Sequence, residues 1–149
     1  MSGSRSYEST SHRVELAVLC AGRRGLLMEV STTQFEGLFT TSHFRAVDER
    51  GIFVKPWIYS ELENIFGNCQ EIYFSSSKKG VLRGLHFQRG ASAQAKYVIC
   101  LSGAIEDIAV DIRPTSPTLG KVFRLRIEAL SGNGVIIPPG FAHGIFADE

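Results

Sequence analysis

From residue 28 onward the chain alternates short apolar runs with turn residues. Residues 38–47 read as strand, DERG at 48–51 as a turn, and residues 52–54 as the returning strand, closed by Pro56. Residues 60–66 (SELENIF) form the one helical pattern, with Ser60 as a candidate N-cap and Glu63 three positions on. Strand signals resume at 71–75, 95–101, 105–112, 122–128 and 135–137, divided by Ser-Lys, Ser-Gly, Pro-Thr-Ser-Pro and Ser-Gly-Asn-Gly turns. Regularly spaced short strands with Gly/Pro turns predict a single all-β sandwich or barrel.

At the centre of this pattern lies GVLRGLHFQ, residues 80–88. Val81, Leu82, Leu85 and Phe87 mark it as strand, yet it carries Arg83, Gly84 and His86. In a regular strand Arg83 and His86 point to opposite faces. A bulge at Gly84 changes the phase and brings a fixed cation and a titratable imidazole to one side. Alternation is also clear over residues 105–113. Glu106, Ile108, Val110 and Ile112 share one face, whose apolar members want a packed layer; Asp107, Ala109, Asp111 and Arg113 share the other, polar enough for a wet cavity or for solvent. Phase alone does not choose between those two.

Composition narrows the class. With 16 basic and 15 acidic side chains among 149 residues, the net charge of +1 argues against a nucleic-acid binder driven by bulk charge. No apolar run approaches membrane-spanning length. Cys20, Cys69 and Cys100 are odd in number and lack metal-type spacing, and read as reduced thiols of a cytoplasmic protein. Residues 1–27 begin polar and serine-rich and read as a loose, dispensable extension ahead of a domain at 28–149, with Met28 as the functional start.

Of the four histidines, His12 falls in the extension and His43 early in the domain, while His86 and His143 sit in strand-and-turn settings. His143 follows the rigid Pro138-Pro139-Gly140 turn in IIPPGFAHGIF. Two such imidazoles suggest a lined pocket, though a structural histidine bonded to backbone fits the spacing equally well. A metal centre is the obvious rival, but the HxH pair common in small β-barrels is missing: Phe87 and Gln88 follow His86. No metal is expected. Lys96 reads by default as a solvated strand-end lysine and Arg50 as a turn residue in a salt bridge.

GVLRGLHFQ, AKYVICLSGAIEDIAVDIRPTSPTLGK and IIPPGFAHGIF, with DERGIF before them, together resemble the dTDP-4-dehydrorhamnose 3,5-epimerase family in order and spacing. The resemblance implies a cupin-type jelly roll (a double-stranded β-helix), a homodimer, and no cofactor or metal. It implies epimerisation at C3 and C5 of a nucleotide-linked 4-keto-6-deoxy sugar, towards rhamnose or a related surface sugar. A proton α to a ketone is weakly acidic, so such an enzyme needs a base poised near neutrality and cationic donors for the enolate oxygen. Carried over, His86 is the base and Lys96 the enolate stabiliser, with Arg83 on the sugar or the same oxygen. His143 contacts substrate with Asp107 orienting its ring, Arg50 binds the diphosphate across the dimer, and Glu71 and Phe53 touch the nucleotide.

The chain departs from that pattern in three places. Val54-Lys55-Pro56 stands where many members carry Glu, and Glu71-Ile72-Tyr73 where a Gln-Asp-Asn run is common, which puts thymidine specificity in question. Members also continue past the PPGFAHGF-type motif into at least one more core strand, whereas this chain ends at Glu149. The expectation is a jelly roll without its last core strand, lacking the carboxylate paired with the base and the proton-donating tyrosine, with low activity to match. A single-centre epimerase and a non-catalytic sugar-nucleotide binding remnant are the alternatives.

Overall fold

The computed structural model describes residues 28–67 and 69–148; the extension assigned to residues 1–27 lies outside them. In chain order the strands are β1 (Glu29–Thr32), β2 (Phe39–Ser42), β3 (Phe44–Asp48), β4 (Gly51–Lys55), β5 (Leu82–His86), β6 (Lys96–Val98), β7 (Ala104–Asp111), β8 (Val122–Glu128), β9 (Asn133–Ile137) and β10 (Phe141–Ala147). Helix α1 (Tyr59–Phe66) follows β4. Two four-stranded antiparallel sheets, ordered β1-β2-β9-β6 and β5-β10-β7-β8, accompany a separate β3-β4 hairpin. This is the expected all-β jelly roll.

The sheets meet over one core that includes Phe35, Leu38, Ala109, Ile127, Val135, Ile137 and Phe141. Phe35, in the connection between β1 and β2, packs edge-on against Phe123 at 6.0 Å and Phe141 at 6.1 Å, both on the β5-β10-β7-β8 sheet. Each large side chain buried here contributes about 1.5–3 kcal/mol. Between Val135 and Ile137, Ile136 points the other way, into a second cluster with Met28 and Leu62 beneath α1. Strand β9 is thus covered on both faces, and the run Val135-Ile136-Ile137 is continuously apolar for that reason.

Several expectations need correction. The helix starts at Tyr59 with Ile58 as its extended N-cap and no side-chain cap, so Ser60 lies inside the first turn. Residues 38–47 split at His43, where the chain leaves β2 for the hairpin and the His43 amide donates to the Gly132 carbonyl at 2.5 Å. Residues 71–75 join no ladder: Ile72, Tyr73 and Phe74 are 76%, 64% and 77% exposed. β-branched and aromatic residues favour a strand only where a neighbouring strand accepts them. Residues 95–101 shorten to β6. In β7 the polar face is the buried one: Asp107, Ala109 and Asp111 are fully covered, while Ile108 and Val110 are half-buried.

Candidate active site

The bulge expected at Gly84 is present. Arg83 lies opposite Ile145 and His86 opposite His143, so three steps along β5 match two along β10. Both side chains therefore belong to one side of the sheet. Gly84 holds φ at +103°, and a Cβ there would sit 2.6 Å from the His143 carbonyl oxygen and 2.8 Å from Gly144 Cα. A Cβ on Gly144 would meet the Arg83 carbonyl at 2.6 Å. Two glycines let the backbones of β5 and β10 close up, and the two imidazoles face each other edge-on with ring centroids 5.9 Å apart.

Strand β7 supplies the carboxylate. Asp107 pairs with Ile145, one step diagonally from His143, and its Oδ2 lies 2.8 Å from His143 Nε2. Both side chains are buried, and Asp107 Oδ1 and His143 Nδ1 have no hydrogen-bond partner among the described residues. Burial pushes the Asp107 carboxyl up from its ordinary value, against the opposing pull of the His143 hydrogen bond and of the Lys96 charge.

Lys96 comes from the opposite sheet. On β6 it pairs with Ile137, and it lines a cleft with His143, Phe141 and the Pro138-Pro139-Gly140 turn. Loss of hydration lowers the pKa of its amine, with Asp107 pulling the other way. The His86 ring is lowered too, first by burial, then by the charges of Lys96 and His143. At neutral pH the site thus presents a neutral imidazole beside a half-buried ammonium. That combination can take a proton from carbon while a cation receives the charge left on an adjacent oxygen.

The remaining candidates sit apart from this cluster. Arg83 donates through Nε to Ser77 Oγ at 2.7 Å and through Nη2 to the Ser76 carbonyl at 2.9 Å. Arg50 occupies the tip of the β3-β4 hairpin in a salt bridge with Asp48, as its default reading had it, and Phe53 on β4 packs edge-on against Phe44. Glu71 is exposed. Gln88 and Gln94 also line the cleft, joined by a 2.5 Å hydrogen bond, and their positions beside His86 and Lys96 were the only sequence signal for them. Tyr97 turns away from the cleft: its hydroxyl donates to the Pro56 carbonyl at 3.0 Å. Among the described residues no carboxylate hydrogen-bonds the His86 ring, and no group of three His, Cys, Asp or Glu gathers as metal ligands.

Residues 32–149 match the family model described as dTDP-4-dehydrorhamnose 3,5-epimerase. The chain is 45% identical over 102 residues to the dTDP-4-dehydrorhamnose 3,5-epimerase of Salmonella typhimurium, covering 65% of this chain and 55% of the relative. It is 42% identical over 120 residues to that of Escherichia coli, covering 78% and 65%. A crystal structure of dTDP-6-deoxy-D-glucose-3,5-epimerase from Legionella pneumophila, in complex with dTDP-4-keto-L-rhamnose, superposes with a TM-score of 0.72 at 35% identity, covering 83% of this chain and 66% of that one. The chain spans just over half to just under two thirds of the length of these relatives.

Proposed function

The chain belongs to the dTDP-4-dehydrorhamnose 3,5-epimerase family, and we propose that its cleft epimerises a nucleotide-linked 4-keto-6-deoxy sugar at C3 and C5. The observation that carries this reading is the convergence of His86, Lys96 and the His143–Asp107 pair from three strands of one sheet and one of the other. In the proposed reaction the His86 ring nitrogen takes the proton from the carbon next to the ketone. The C–H electron pair moves into the new C=C bond, and the carbonyl π pair moves to oxygen, where the Lys96 ammonium stabilises the enolate. A solvent-derived proton added to the opposite face returns the enolate pair to carbon and restores the ketone with the centre inverted, and His86 releases its proton to solvent. His143, its ring held by Asp107, and Arg83 contact the sugar. Arg50, Glu71 and Phe53 serve the nucleotide, Arg50 from the second subunit of a homodimer. The exposed strip at residues 72–74 is consistent with such a dimer. The reaction belongs with cytoplasmic nucleotide-sugar synthesis and takes no cofactor.

A second reading, a binding module that no longer turns over, is favoured by the lack of a carboxylate on His86 and of a cleft-facing tyrosine among the described residues. Deuterium incorporation into dTDP-4-keto-6-deoxyglucose, followed by NMR at both carbons, separates the two. Exchange at C3 and C5 that disappears in His86→Ala supports the epimerase, and exchange at one carbon assigns a single-centre enzyme. Folded protein that binds the sugar nucleotide without any exchange overturns the catalytic reading.

A further inference from the structure

Strand β6 is three residues long, pairs only with β9, and stands at the edge of its sheet. A strand so short and one-sided has little of its own to fix the direction of Lys96. Residue 97, next along the strand, points to the opposite face. There the Tyr97 ring packs against Trp57 at 6.0 Å and Phe66 at 6.1 Å, and its hydroxyl enters a polar knot within an otherwise apolar cluster. The hydroxyl donates to the Pro56 carbonyl, lies 3.2 Å from Thr41 Oγ1 and hydrogen-bonds His43 Nε2; Thr41 Oγ1 lies 2.9 Å from the same nitrogen. These partners come from β2, from the joint between β2 and β3, and from the segment after β4. Burial lowers the pKa of His43 and, with the hydroxyl withdrawn from water, pushes Tyr97 up to about 12, so both are neutral around pH 7.

We propose that the Tyr97 hydroxyl is a positioning group for Lys96, holding β6 from behind so that the ammonium stays in the cleft. This rests on the reading above only in giving Lys96 a catalytic task. The placement itself is independent of it. Of the charged and titratable groups on the facing strands, Asp107 acts on Lys96, the Lys96 charge in turn acts on His86, and His143 lines the same cleft. If β6 loosens, the amine regains water and moves away from Asp107. Loss of hydration is the larger influence, so its pKa should climb towards the ordinary lysine value.

The test is Tyr97→Phe, which keeps the ring and its packing and removes one oxygen. Lysine-labelled protein is titrated by NMR, the Lys96 signal being assigned by its loss in Lys96→Arg. The expected result is a Lys96 midpoint raised relative to the parent, with kcat for deuterium exchange down about tenfold and KM within twofold, since displacement of a catalytic group by about 1 Å can cost on the order of 10²-fold. An unchanged midpoint in folded Tyr97→Phe overturns the proposal. A raised midpoint with unchanged kcat keeps the positioning and removes Lys96 from the chemistry. Should Tyr97→Phe not fold, Thr41→Val, which takes one partner from the hydroxyl, is expected to raise the same midpoint by a smaller amount, and its failure to do so overturns the proposal instead.

Discussion

His143 Nε2 and Asp107 Oδ2 lie 2.8 Å apart with both side chains buried, so one fully covered carboxylate fixes the ring that faces His86. Asn has nearly the same shape and can still accept from Nε2–H, but it cannot stabilise a positive ring or hold Lys96 by charge. Exchange in Asp107→Asn should fall on the order of 10²-fold. Stability should move the other way. The folded pKa of Asp107 is raised, so its contribution is present below the unfolded value and is lost as pH rises through the folded one. At pH 7 the uncharged variant should therefore melt no lower than the parent in calorimetry. A lower melting point with full activity would contradict both halves of this prediction.

The rate of exchange should trace a bell against pH. His86 must be neutral to accept a proton, and its folded pKa lies below the ordinary 6.5, so the acid limb rises through a midpoint under that value. Lys96 must be charged, and its pKa is lowered from 10.5, so the alkaline limb falls earlier than an exposed lysine would allow. Lys96→Arg should move the alkaline limb out of range, because guanidinium stays protonated. His86→Ala should cost around 10²–10⁴-fold at every pH. Exchange at pH 7 in that variant equal to the parent's would remove His86 from the mechanism.

How far the sequence carried is clearest at three places. Gly84 inside an apolar run announced the bulge, because glycine in a strand marks a close backbone approach, and the register of Arg83 and His86 follows from it. The faces of β7 were legible as two sets, but period alone says nothing of which set another sheet covers; here Asp107 and Asp111 point inward, where Oδ2 of each meets a partner, His143 for the first and Arg113 for the second. Strand β10 went unread as a strand because its Gly144 and the preceding prolines look like a turn. The close approach of β5 explains a glycine in that central strand. The Tyr97 knot had no local signal, since Thr41 and Tyr97 are brought together by the pairing of β2 and β6 with β9, and Pro56 reaches them from the segment after β4.

Glycine at position 84 should prove far less replaceable than at position 80. Both hold positive φ, at +103° and +81°, which costs a side chain about 1–3 kcal/mol. At Gly80 a Cβ meets nothing within 4 Å, whereas at Gly84 it collides with the backbone of His143 and Gly144. Gly84→Ala must push β5 off β10, and should lower the melting temperature at least twice as far as Gly80→Ala. It should also abolish exchange by separating His86 from His143. Equal melting shifts for the two variants would mean that the close approach of β5 and β10 is not enforced.

Phe74 offers the sharpest test of the proposed dimer. It is 77% exposed, flanked by Tyr73 at 64% and Ile72 at 76%, and lies in a segment outside the described sheets. Three neighbouring large apolar side chains left in water favour association, at roughly 25 cal/mol for each Å² of apolar surface covered. A carboxylate forced into that contact would carry a desolvation penalty of several kcal/mol. Light scattering after size exclusion should therefore give twice the mass of a single chain for the parent and one chain for Phe74→Asp at low micromolar concentration. If Arg50 reaches the partner's diphosphate, the monomeric variant should also show a KM raised about tenfold, while kcat holds, because a charge-assisted hydrogen bond contributes about 1.5–3 kcal/mol. A parent that runs as a single chain, or a Phe74→Asp protein that remains paired, would take this segment out of the interface and leave Arg50 without a phosphate to hold.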